Sequence, residues 1–138
     1  MKLKFLVPVL AAFLISPAFA QTTAKDVSKS TSEAVDTLKS YSVDKKNEAV
    51  AYGKKMLNAA DRDIKKLERQ ASKASDDTKA QFAQDAKDLR ATRDAAKEKL
   101  DQMGKASGEA WDGTKNAFAD AYKDLRDGLA KAGDKLKK

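Results

Sequence analysis

The amino-acid sequence predicts an all-α chain: an antiparallel three-helix bundle, or a long helical hairpin or coiled coil, behind a flexible N-terminal segment. Three observations predict it. Both prolines fall at positions 8 and 17, so everything from Gln21 onward lacks the residue that interrupts helices. Apolar side chains recur every seventh position in three separate rows, the spacing of a helix packed along a seam. No stretch alternates Val, Ile or Thr with polar residues in the period of two that a half-buried strand requires.

Residues 1–20 read as an export signal. Lys2 and Lys4 supply the positive start, "FLVPVLAAFLI" the apolar stretch, and Ala18-Phe19-Ala20 the small-x-small pattern of a cleavage site. The apolar run falls well short of the roughly 20 residues that span a bilayer. No Cys is present, so lipoprotein processing is not expected. Cleavage after Ala20 would place a mature chain starting at Gln21 in the periplasm or outside the cell.

Residues 21–42 are rich in Ser and Thr and poor in apolar side chains, and are expected to be a flexible or weakly helical leader. Val35 and Leu38 would give it one turn able to pack. The first seam then begins. Val43, Val50, Leu57, Ile64 and Ala71 form one row, and Gly53, Ala60, Leu67 and Ala74 a second row offset by three. Ser42 is the expected N-cap, and the helix is expected over about 43–73. Ser75 followed by Asp76 and Asp77 reads as a second N-cap, with acids where the helix dipole favours them. The second seam is Phe82, Leu89, Ala96 and Met103, flanked by Ala86 and Leu100, on a helix expected over 75–103. The link near 72–77 holds neither Gly nor Pro, so one continuous rod from 43 to 103 is the competing arrangement. Typical helix lengths favour the folded-back form.

"GKASG" at 104–108 marks a stop and restart with Ser107 as the next N-cap, and the last helix is expected over 108–136. Its seam is Trp111, Phe118, Leu125 and Ala132, joined by Tyr122, Leu129 and Leu136. Trp111, Phe118, Tyr122, Leu125 and Leu129 are the candidate functional residues, as a core stripe or as a partner- or membrane-facing one. As core, large rings fill the space left by small residues on the other helices. As a membrane face, the rings insert while Lys115, Lys123, Arg126, Lys131 and the "KLKK" tail meet lipid phosphates, against the mixture of Asp112, Asp120, Asp124 and Asp127. A groove on a protein partner is the third reading. Gly113, Gly128 and Gly133 each cost a helix interior about 1 kcal/mol relative to Ala, so this helix is expected to loosen first.

The 28 Lys and Arg exceed the 21 Asp and Glu, a net charge of +7 that becomes +5 once Lys2 and Lys4 leave. Along the sequence the cations alternate with acids and do not gather into a run, the pattern of solvated helix faces. Weak contact with an anionic membrane is compatible with this balance; a nucleic-acid partner is not expected. The expected partner is a second copy or another protein. Without Cys or His, the usual zinc ligands and Ser-His-Asp or Cys-His catalysis are unavailable. No catalytic, cofactor or metal site is expected, and the chain is read as non-enzymatic.

"YSVDKKNEAV", "LRATRDAAKEKLDQM" and "ASGEAWDGTKNAFADAYKDLRDGLAKA" carry a resemblance over about 41–136. The sequence resembles a sparsely characterised group of small bacterial helical proteins, often labelled coiled-coil or stress-response proteins. The resemblance implies a helical bundle or coiled coil, a stress-related role and no catalytic residues to transfer. A distant similarity to plant-type late-embryogenesis-abundant proteins rests on Ala/Lys/Asp helices, but an eleven-residue rhythm gives a different supercoil from the seven-residue rows here. The function expected is that of an exported envelope protein acting by association. Alternatives are a periplasmic holdase chaperone and a peripheral membrane binder.

Overall fold

The computed structural model describes residues 24–137, and the side chains of 29–136 within them. The expected export signal and cleavage site fall on residues outside those described. Four helices and no strand are present among the described residues: α1 (Ala24–Lys39), α2 (Lys46–Ala71), α3 (Asp76–Lys105) and α4 (Gly108–Lys137). A single 3-10 turn, Val43–Lys45, leads into α2.

The chain folds back at each link, and no rod forms. Arg93 of α3 meets Asp61 of α2, and Arg90 meets Glu68, so α2 and α3 run antiparallel. Lys135 near the end of α4 meets Asp85 near the start of α3, so α3 and α4 are antiparallel as well. Ser75 terminates the first link as expected: its Oγ accepts from the Thr78 amide at 3.3 Å, at an extended φ of −67° and ψ of 162°. Ser107 accepts from the Ala110 amide in the same way. Two boundaries differ from expectation. Ser42 makes no side-chain cap, because the 3-10 turn intervenes and α2 starts at Lys46. Helix α3 runs through Gly104 to Lys105 and stops where Ala106 turns extended.

Within residues 43–137 the three expected helices form, and the leader, expected to be flexible or weakly helical, is helical over Ala24–Lys39. Residues 24–39 are a full helix of 16 residues, packed on α4 and to a lesser extent on α2. Val35 (2% exposed) and Leu38 (0%) enter the core. The segment is helical because two apolar residues three apart give it one buried edge, and tertiary packing then overrides modest Ser/Thr propensities.

Every residue of the second seam is buried, as are Leu57, Ile64 and Ala71 of the first; Val43 and Val50 at its start are half-buried. Ala49 and Met56 add a further buried row on α2, which therefore faces two helices rather than one. No helix among the described residues is long and apolar enough to cross a membrane.

Candidate functional site

The five candidate residues lie together on the inner face of α4. Trp111, Phe118, Tyr122, Leu125 and Leu129 are all buried, none more than 5% exposed. Phe118 and Tyr122 stack at 6.3 Å between ring centroids. Small residues opposite make the room: a Cβ placed on Gly53 of α2 would sit 3.4 Å from the Phe118 ring. The rings are core, and the membrane-facing and groove-facing arrangements are not those of the folded chain.

Two cations assigned to the outer face of α4 also turn inward. Lys115 is 6% exposed and its Nζ donates to the carbonyls of Lys39 and Tyr41, each at 2.8 Å. The Trp111 indole Nε1 donates to the same Tyr41 carbonyl at 3.0 Å, and the Lys115 ammonium lies 5.6 Å from the Trp111 ring. Lys39 ends α1, so this knot places a cation at the negative end of the α1 dipole. Arg126 donates to Asp63 of α2 at 2.8 Å and lies over the Tyr122 ring. Lys46, at the start of α2, repeats the device: its Nζ donates to the Ala106 carbonyl at 2.8 Å, where α3 ends. Sequence reading missed both inter-helix caps. A lysine cap on another helix leaves no periodic trace, because its partner is a carbonyl 60 to 76 positions away in sequence.

Burial raises the pKa of the Tyr122 phenol, with the charge of Arg126 opposing the shift. The Arg93 guanidinium is held even more firmly protonated by its hydrogen bonds to Asp61. That pair is bidentate, with Nε and Nη2 each 2.8 Å from a carboxylate oxygen.

An open cleft of about 290 Å³ runs between α2 and α3, lined by Asp61, Ile64, Lys65, Glu68, Arg90, Arg93 and Asp94. Its opposite charges face each other as Asp61–Arg93 and Glu68–Arg90, so it serves as a seam between helices. No group of three or more acidic residues able to hold a metal ion occurs among the described residues.

The ion pairs have a consequence for the surface of α2. Its three central acids, Asp61, Asp63 and Glu68, are half-buried and committed to Arg93, Arg126 and Arg90. Every exposed charged residue from 51 to 73 is therefore a cation. Over 51–73 the alternation of charge along the sequence does not survive folding. Comparison with family models, with curated proteins and with solved structures finds no match to this chain.

Proposed function

We propose that the protein is an exported, non-enzymatic helical module of the bacterial envelope that acts by association through its outer surface. The observation that carries this reading is the completed interior. Rings that would otherwise serve as an insertion or client-binding face are consumed inside one chain, and the Lys115–Trp111–Tyr41 knot fixes them there. What remains for contact is the polar, charge-segregated exterior. Export is supported by the signal pattern of residues 1–20, and the non-enzymatic reading by a sequence without His or Cys.

Expression of the full chain with a C-terminal tag in a Gram-negative host, followed by fractionation and intact-mass measurement, tests it. A periplasmic or secreted species beginning at Gln21 is expected. An unprocessed chain retained in the cytoplasm defeats the export reading.

The holdase alternative draws on one specific observation: α1 is the shortest helix and packs chiefly on α4, so its release would uncover α4. A folded chain that suppresses the light scattering of a diluted, unfolded outer-membrane protein would favour it.

A further inference from the structure

We propose that the outer face of α2 is a docking surface for an anionic phospholipid membrane. Lys54, Lys55, Arg62, Lys65 and Arg69 are exposed and, at 100° per residue, fall within about a third of the helix circumference over about 22 Å of axis. Lys73 extends the stripe into the turn beyond. None of these six takes part in an ion pair among the described residues. Ala51 and Asn58 lie on the same face, which between 51 and 73 shows no exposed acid and no large apolar side chain; Glu48, exposed and paired with Lys45, precedes the stripe by less than two turns, and half-buried Asp61 borders Lys65 at the α2–α3 cleft.

Six positive charges match or exceed the net charge left to the chain after signal removal, so the remainder of the molecule is close to neutral. Residues 51–73 hold seven Lys and Arg against three acids. Arg62, Lys65, Arg69 and Lys73 follow one another at three and four residues, a spacing that puts neighbours about 5–6 Å apart, inside the ~8 Å screening length at physiological ionic strength, while Lys54 and Lys55 form a second group about 10 Å further along the axis. Both groups lie on one face and meet an anionic plane together.

The occupant follows from what the stripe lacks. A second copy offers a net-acidic but mixed face: the exposed Glu109, Asp112, Asp120, Asp124, Asp127 and Asp134 of α4 are interleaved with the exposed Lys123 and Lys131, and Asp112 already pairs with Lys115. Yet neither face has an apolar centre, and a stable protein interface needs a desolvated core that exposed ion pairs do not supply. A lipid surface needs none. Its phosphates are mobile, dense and planar, and each Lys or Arg near such a surface multiplies partitioning by about fivefold. The preference for lipid phosphate over nucleic-acid phosphate rests on the export reading above.

The test is co-flotation of the purified chain from Gln21 to Lys138 with vesicles of phosphatidylglycerol and phosphatidylcholine, and with phosphatidylcholine alone. Residues 1–20 are omitted because their apolar run would itself enter lipid. Binding is expected only with the anionic vesicles at low salt, and is expected to vanish near 1 M salt, where the screening length falls to about 3 Å. A quadruple variant, Lys54→Gln, Arg62→Gln, Lys65→Gln and Arg69→Gln, is expected to lose roughly a hundredfold or more of this binding. A control carrying Lys79→Gln, Lys87→Gln and Lys97→Gln on the mixed outer face of α3 is expected to retain most of it. Helicity and thermal midpoint, unchanged in both, separate a surface effect from misfolding. Absent binding to anionic vesicles, or equal loss in both variants, overturns the proposal. So does inertness toward vesicles combined with stripe-dependent retention on a DNA duplex or stripe-dependent self-assembly. Failure of export leaves this assay readable, and failure of this assay leaves the export test untouched.

Discussion

Lys115 shows how one side chain reconciles two opposing terms. Burying an ammonium is costly unless its charge is compensated. Here two carbonyl oxygens at 2.8 Å and the face of Trp111 replace water, and the carbonyls belong to or follow the last residue of α1. The helix end gains a cation, and the cation gains its solvation from the helix end. Tyr122 illustrates a different balance. Its folded pKa lies above the ordinary value of about 10 because burial disfavours the phenolate. Between that value and the folded one, the unfolded chain has lost the proton while the folded chain keeps it. The unfolded state then binds fewer protons, so stability falls as pH rises. This contribution is complete below about pH 10 and is lost as pH climbs through the folded pKa. Tyr122→Phe removes it. Urea midpoints measured at about pH 8 and pH 11 should fall less steeply in the variant than in the parent chain, and parallel falls would refute the assignment.

At the scale of the element, α2 and α4 each contain glycine for different reasons, and intrinsic helix propensity alone does not separate them. Gly113 on α4 is exposed, and a Cβ there would meet nothing within 4 Å. Gly113→Ala should therefore stabilise the protein by up to about 1 kcal/mol, the full propensity difference. Gly53 on α2 is buried, and a Cβ there would fall 2.5 Å from Leu100 Cδ1 and 3.4 Å from the Phe118 ring. Both neighbours are themselves buried, at 3% and 0% exposure, so neither has free space to retreat into. Overpacking of about 1–3 kcal/mol then outweighs the propensity gain, and Gly53→Ala should lower the thermal midpoint where Gly113→Ala raises it. Calorimetry of the two variants side by side checks both signs.

For the molecule as a whole, packing reverses the ranking that the glycines suggest. Helix α4 touches each of the other three helices and contributes the buried Trp111, Phe118 and Tyr122 rings. This packing works against the helix-propensity cost of Gly113, Gly128 and Gly133. Helix α1 is the shortest, rests chiefly on α4, and buries the Thr31 hydroxyl with no hydrogen-bond partner among the described residues. An unmatched buried hydroxyl costs about 1–3 kcal/mol, so α1 is the part expected to open before the rest. The Lys115 cap opposes that opening. Lys115→Met should weaken α1 docking by about 1.5–3 kcal/mol, the range for hydrogen bonds to charged groups. Trypsin should then cut at Lys29 and Lys39 at least tenfold faster while 46–137 resists. Uniform acceleration along the chain would show that the cap acts on the whole bundle and not on α1.

The sequence by itself determined the all-α class, three of the four described helices and most of the core, and left the choice between a fold-back and a rod over 43–103 to the tertiary structure. Periodicity is a local property: a side chain seven positions on returns to the same face whatever lies opposite, so Phe82, Leu89, Ala96 and Met103 announce a seam without knowledge of their neighbours. The burial of Trp111, Phe118, Tyr122, Leu125 and Leu129 was legible as one of three readings of a single stripe; the choice among them belonged to the fold. Only the tertiary structure decided that residues 24–39 form a fourth helix, that Lys46 and Lys115 cap helices far away in the chain, and that Asp61, Asp63 and Glu68 turn inward. That last decision converts an alternating run of charges into a stripe of one sign. The physical reason is common to all three: an ammonium, a guanidinium or a half-apolar turn takes its role from whichever partner three-dimensional packing brings within hydrogen-bonding or van der Waals reach, and linear spacing does not record that partner.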